Sequence, residues 1–67
     1  MRVIIKKTDS NEYISKLTHD DYGALIIEYT PHPSCALIYN SRGVANEISR
    51  YIVGTEVVLL SKALDSK

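Results

Sequence analysis

The chain has little of several residue types on which small proteins commonly depend. Its 67 residues include one cysteine, two prolines, three glycines and no Phe or Trp. One cysteine cannot form an internal disulfide, and a secreted domain of this size usually carries several, so the sequence predicts an intracellular protein. Eight Lys and Arg residues balance eight Asp and Glu residues, which argues against a strongly basic nucleic-acid binder and against an acidic DNA mimic.

Long apolar stretches are also missing. Apolar runs such as residues 57–60 are at most five residues long, whereas a transmembrane helix needs about 20 apolar residues. No apolar leader segment opens the chain either. We therefore expect a soluble, cytoplasmic protein that does not bind a membrane. Hydrophobic residues make up 45% and charged residues 24% of the chain, as in folded proteins, and the length predicts one small domain over residues 1–67.

The apolar pattern predicts an α+β fold, in which a small antiparallel sheet of an N-terminal hairpin and two or three further strands carries one helix on one face. Residues 2–7 form a short β-type run before turn-forming residues at 8–11. Residues 12–17 fit either a short helix, with Asp9 as N-cap and Glu12 at its third position, or a second strand. We favour the strand, because a helix this short is marginal and a strand has an antiparallel partner at once.

The middle of the chain predicts a strand between two breaks. Residues 24–29 have the apolar, β-branched character of a strand. Residues 18–23 are polar before it and are predicted to form a mobile loop. Pro31 and Pro33 must end the strand, since each lacks an N–H and biases its predecessor towards extended geometry.

The most distinct element is a helix over about residues 42–53. Ser41 is a good N-cap, and Gly54 stands where a left-handed C-terminal cap belongs. On a helical wheel, the apolar side chains fall within an arc of about 120°, as expected of a helix that packs on one side. These side chains are Val44, Ala45, Ile48, Tyr51 and Ile52.

Two predictions concern the C-terminal part. A strand over residues 55–61 is apolar on both faces, because the side chains at 57–60 are all aliphatic. Such a strand suits the centre of a sheet, or an edge that another subunit covers, so we expect a homodimer or a strand-edge contact. Residues 62–67 are predicted to form a polar tail without fixed structure.

Patterns for catalysis and metal binding are missing. Cys35, His19 or His32, and Asp20 or Asp21 supply the residue types of a nucleophilic site. However, Cys35 lies in an apolar run and is predicted to be a buried core residue. The chain has no Cys-x-x-Cys pair for zinc and no glycine-rich loop for phosphate. We predict no enzymatic activity, no metal and no cofactor.

Three stretches give the chain a family resemblance. Residues 33–45 read Pro-Ser-Cys-Ala-Leu-Ile-Tyr-Asn-Ser-Arg-Gly-Val-Ala, residues 54–58 read Gly-Thr-Glu-Val-Val, and residues 3–15 have the pattern of an opening hairpin. This order resembles that of short α+β proteins common in phage and other mobile-element genomes. The resemblance implies a protein that binds a protein partner stoichiometrically, as inhibitors or modulators of host systems do, anti-CRISPR proteins among them.

Two surfaces are candidate partner-binding sites, because they carry anchoring groups that a core does not need. One is the outward face of the helix, with Arg42, Asn46 and Arg50. The other is a pair of loops whose polar and aromatic residues are Asp20, Asp21, Tyr22 and His32.

A nucleic-acid-binding regulator is the alternative function. It would use Arg42, Arg50 and the Lys6–Lys7 end of the first strand, with exposed tyrosines to stack on bases. The zero net charge makes this alternative the less favoured one.

Overall fold

The α+β fold is built on a four-stranded antiparallel sheet, as the sequence predicted. The computed structural model describes residues 1–65. Strands β1 (Val3–Lys7), β2 (Tyr13–His19), β3 (Leu25–Thr30) and β4 (Thr55–Leu59) lie in the order β3-β2-β1-β4. Helices α1 (Arg42–Arg50) and α2 (Leu60–Asp65) pack on opposite faces, and a 3₁₀ turn spans Pro33–Cys35.

Strand β1 is buried on both faces and joins the two cores of the protein. Val3, Ile4 and Ile5 have no exposed surface. Because successive side chains of a strand point to opposite faces, Val3 and Ile5 pack in the cluster beneath α1, with Ile14, Ala45 and Ile52. Ile4 packs in the cluster beneath α2, with Tyr13, Ala36, Leu60 and Ala63.

A short segment separates β1 from β2 at one end of the sheet. Only one pair of facing residues joins the two strands directly. Beyond it, residues 37–39 enter between them: Val3 and Tyr39 exchange two backbone hydrogen bonds of 2.9 Å, and Leu37 N donates to the Ile14 carbonyl at 2.9 Å. We call this segment the wedge, and it forces the sheet to open there.

The β2–β3 hairpin diverges from the rest of the sheet as a result. A bulge between Ile14 and Lys16 marks the position in β2 at which the hairpin begins to diverge. Beyond this bulge, the pairs found within residues 1–65 join β2 to β3 alone. The molecule is correspondingly elongated, with extents of 39 × 23 × 19 Å.

Helix α1 begins as predicted but ends earlier. The Ser41 hydroxyl caps its start by accepting a hydrogen bond from Val44 N at 3.3 Å. The helix ends at Arg50 rather than near residue 53, because the chain turns towards β4, where the Thr55 hydroxyl donates to the Ile52 carbonyl at 2.7 Å. Gly54 has the left-handed φ of +83° that only glycine adopts readily, but it leads into β4 rather than directly capping the helix.

The buried face of α1 differs from the predicted stripe. Ala45 and Ile52 are buried and Ile48 is half-buried, but Val44 and Tyr51 are exposed. The helix is rotated so that Ser49 faces inward instead, and its hydroxyl hydrogen-bonds the hydroxyl of Thr55 at 2.9 Å. The prediction that Val44 and Tyr51 are core residues was therefore wrong.

The predicted polar tail is wrong for residues 62–65, which belong to α2. Leu60 and Ala63, three residues apart, share one helix face and are both buried. Their burial stops β4 at Leu59 and turns the chain into the helix, instead of extending the strand to residue 61. Residues 66 and 67 of the predicted tail lie outside the described part of the chain.

The two apolar faces of β4 are covered within the chain itself. Val57 and Leu59 pack against the cluster beneath α1, and Val58 packs against the cluster beneath α2. Residues 57–60 therefore give no reason to expect a homodimer. Self-association stays a prediction that no contact in the structure tests.

Replacing Ile5 should remove packing at the centre of the fold. We expect Ile5→Ala to lower the free energy of unfolding by about 2–5 kcal/mol, since a fully buried side chain leaves a cavity. Urea titration measures this, with Ile38→Ala as the control because Ile38 is 44% exposed. Equal losses in the two variants would show that β1 is not the centre of stability.

Tyr39 in the wedge should make stability depend on alkaline pH. Burial raises the pKa of the Tyr39 phenol, so the folded state holds this proton more tightly than the unfolded state, where the pKa is about 10. The contribution is present below that value and is lost as pH rises. We expect the wild type to lose more unfolding free energy than Tyr39→Phe between about pH 8 and pH 11. Parallel losses in the two proteins would contradict this role.

Candidate partner-binding surface

Asp20 organises a tight hairpin turn where the sequence predicted a mobile loop. The Asp20 carbonyl accepts from Gly23 N at 3.0 Å, Asp20 N donates to the Ala24 carbonyl at 3.0 Å, and Gly23 has a φ of +83°. This is a three-residue hairpin connection with a left-handed glycine. The carboxylate Oδ1 of Asp20 also accepts from Tyr22 N at 2.9 Å and Ala24 N at 2.8 Å. The Asp-x-x-Gly spacing, a type I turn signature, was the overlooked signal.

The two predicted loops do not form one surface. Asp21 and Tyr22 lie exposed at the tip of the hairpin. His32, also exposed, follows the opposite end of β3, where its backbone N–H donates to the Thr30 hydroxyl at 3.2 Å. A strand of this length separates the loops by about 20 Å.

The predicted helix face is exposed but is divided. Arg42, Asn46 and Arg50 are all accessible to solvent. Arg50 forms an ion pair of 3.2 Å with Glu47 of its own helix, and lines a shallow groove with Asn46 beside β4. Arg42, at the other end of this face, lines a different groove, so the two ends of the face adjoin different depressions of the surface.

Sequence reasoning missed an apolar groove between the hairpin and the end of α1. The groove has a volume of about 310 Å³ and is lined by Leu17, His19, Leu25, Ile48, Tyr51 and Ile52. We call it the hairpin groove. The groove exists because the β2–β3 hairpin diverges from β1 and β4 at the wedge, while α1 stays packed on β1 and β4. Tyr51, which the helical wheel placed on the buried face of α1, is exposed and lines this groove instead.

One side of the hairpin groove adjoins an open edge of the sheet. Strand β3 is at the end of the strand order. Asp20 and Ala24 are joined by a backbone hydrogen bond, and in an antiparallel ladder every second facing pair is joined in this way, so Thr18 and Ile26 form the next such pair. Leu25 and Ile27 lie at the alternate positions, and their backbone N–H and C=O groups therefore point outward from the edge. Within residues 25–30 no Lys or Pro protects this edge. The charged residue there, Glu28, already lies 3.8 Å from Lys16.

Cys35 is exposed, which corrects the prediction that it is a core residue. It ends the 3₁₀ turn, and this turn directs the next residue, Ala36, into the core instead. Among residues 1–65, no three His, Cys, Asp or Glu side chains are grouped so that they could hold a metal ion. Neither helix of this part of the chain has the length and apolar character to cross a bilayer.

No protein-family model, curated protein sequence or solved structure matches the chain significantly. The similarity to short mobile-element proteins therefore stays a prediction from the sequence. The hairpin groove and the β3 edge are the features of the molecule that point to a function.

Asp20 should be needed for the hairpin, although it was predicted to be a binding residue alone. We expect Asp20→Ala to lower the free energy of unfolding by about 1 kcal/mol, because two backbone N–H groups lose their acceptor. Asp21→Ala is the matched control and should leave the melting temperature unchanged. If both variants melt like the wild type, the carboxylate does not organise the turn.

Proposed function

We propose that the chain is a non-enzymatic protein that binds a protein partner stoichiometrically, by pairing an extended segment of that partner with β3. The observation that carries the proposal is the open edge of β3 beside the hairpin groove. Strand addition of this kind takes its affinity from backbone hydrogen bonds and its specificity from sites that accept alternate side chains.

The edge and the groove belong to the same residues. Leu25 and Ile27 turn their backbone polar groups outward, and their side chains lie on the face of the sheet that carries α1. A strand added at β3 would continue this face, so every second side chain of the partner would lie near Leu25 and Tyr51. The favoured segment is therefore one with apolar residues at alternate positions.

Tyr51 supplies an anchor of the kind that dominates protein interfaces. Its side chain is 82% exposed, lies at the end of α1 and lines the groove. Exposed tyrosines bring a large apolar area at a low cost in conformational entropy. This surface replaces the two that the sequence predicted, because neither the hairpin tip nor the divided helix face combines apolar area with unpaired backbone groups.

An inhibitor or modulator of a host protein in the cytoplasm would act through such a surface. We infer that role from the resemblance to short phage and mobile-element proteins. It requires no catalytic group, only a surface that occludes another one.

Two substitutions in the groove should abolish partner capture without unfolding the chain. We expect Leu25→Lys and Tyr51→Lys to weaken binding at least tenfold, about 1.4 kcal/mol, because each places a charge in the apolar contact. Ile38→Lys is the matched control, since Ile38 is exposed to 44% and Leu25 to 43% and Ile38 lies outside the groove. The measurement is capture from a nuclease-treated lysate, followed by hydrogen exchange of the purified complex.

The supporting result is a protein that the wild type and Ile38→Lys capture but the groove variants do not, with the amides of Leu25 and Ile27 protected in the complex. Capture that nuclease treatment abolishes would favour the nucleic-acid alternative. A dimer of the chain itself, seen by light scattering and lost in Leu25→Lys, would make the occupant of the edge a second copy and would contradict the proposal.

A further inference from the structure

A second groove lies on the opposite edge of the sheet, where β4 is the outer strand. Its volume is about 350 Å³, and residues from five parts of the chain line it. Those that matter here are Lys6, Asn11, Tyr13, Arg42, Val58 and Lys62. We call it the basic groove, and we propose that it binds the phosphate group of a small molecule.

Three cations converge on the basic groove from elements far apart in sequence. Lys6 belongs to β1, Arg42 starts α1 and Lys62 lies on α2. Lys6 has Glu56 at 3.9 Å, whereas Arg42 and Lys62 form no ion pair within residues 1–65. The Lys6 ammonium also donates to the Lys7 carbonyl at 2.8 Å. The uncompensated charges are therefore those of Arg42 and Lys62, and these two would contribute most to stabilising an anion in the groove.

Tyr13 is a second, independent feature of the groove. Its side chain lines the groove although the residue is only 5% exposed, and its hydroxyl makes no hydrogen bond within residues 1–65. Because the Tyr13 hydroxyl oxygen is not among the buried side-chain atoms that lack a partner, it is accessible from the groove and can donate a hydrogen bond there. A phosphate oxygen in the groove would accept that bond, and Asn11, which also lines the groove, brings an amide donor.

The donors match phosphate, and the rest of the wall matches a carbon skeleton. A guanidinium binds two phosphate oxygens at once, and ammonium groups act as point charges beside it. The volume is within the range of small-molecule sites, about 300–1,000 Å³. Val58 and Ala63, whose side chains lie on this face of the sheet, form an apolar wall for the part of the ligand that bears the phosphate.

The cations do not continue into a track for a nucleic-acid strand. Lys7 is held by Glu12 at 3.2 Å and lies 4.2 Å above the ring of Tyr29. Arg50 is paired with Glu47 and lies outside the basic groove. A single phosphate fits this arrangement better than a polyanion, which needs a continuous positive groove.

The test is a titration of the full chain with adenosine monophosphate, inorganic phosphate and adenosine at low ionic strength, followed by NMR. We expect adenosine monophosphate to bind at least tenfold more tightly than adenosine, and inorganic phosphate to compete with it. Arg42→Gln and Lys62→Gln should each weaken its binding at least tenfold. Arg50→Gln, the same change outside the groove, should leave its binding unchanged. Arg42, Lys62 and Arg50 are exposed, so all three variants should keep the wild-type melting temperature.

Three outcomes would overturn the proposal. Equal binding of adenosine and adenosine monophosphate would show that the phosphate is not recognised. Unchanged affinity in Arg42→Gln and Lys62→Gln would place any bound phosphate elsewhere. Binding of oligothymidylate that Arg50→Gln weakens as much as Arg42→Gln would assign the cations to a nucleic-acid surface. None of these outcomes bears on β3, so the proposal for the partner surface stands or falls separately.

Discussion

Burial of β1 on both faces is the constraint on which the rest of the structure depends. Three consecutive side chains, Val3, Ile4 and Ile5, have no exposed surface, and each neighbour in sequence belongs to a different cluster. A domain of this length without disulfides has little core to spare. Placing its most buried strand between two helices lets one backbone segment stabilise both layers. This arrangement requires α2, because a polar tail would leave one face of β1 uncovered.

The wedge converts this packing into accessible surface. By pairing with Val3 on one side and Ile14 on the other, residues 37–39 satisfy backbone groups that β1 and β2 would otherwise offer each other. The cost is an opened sheet, in which the hairpin no longer follows the plane that α1 covers. The hairpin groove and the exposed Tyr51 are consequences of that divergence, so the candidate partner surface follows from how the core is closed.

Local signals in the sequence predicted the parts of the fold that local chemistry decides. The Ser41 cap, the strand predicted over residues 24–29 and found at Leu25–Thr30, and the left-handed Gly54 need only neighbouring residues. Rotation of α1, exposure of Cys35 and the helix at residues 60–65 depend on contacts between distant segments, which periodicity does not report. The hairpin groove was missed for the same reason, whereas the Asp20 turn was readable from its spacing and was interpreted as a binding loop instead.

The zero net charge conceals an uneven distribution. Four basic side chains, Lys6, Lys7, Lys16 and Arg50, each have a carboxylate partner within 4 Å, and exposed pairs of this kind add little to stability. Their effect is to neutralise most of the surface, so that the unpaired Arg42 and Lys62 stand out at the β4 edge. The opposite edge, at β3, is apolar and nearly uncharged. The two outer strands of one small sheet thus present different chemistries. Because the hairpin groove and the basic groove share no lining residue, a ligand in one and a partner at the other would not compete for the same residues.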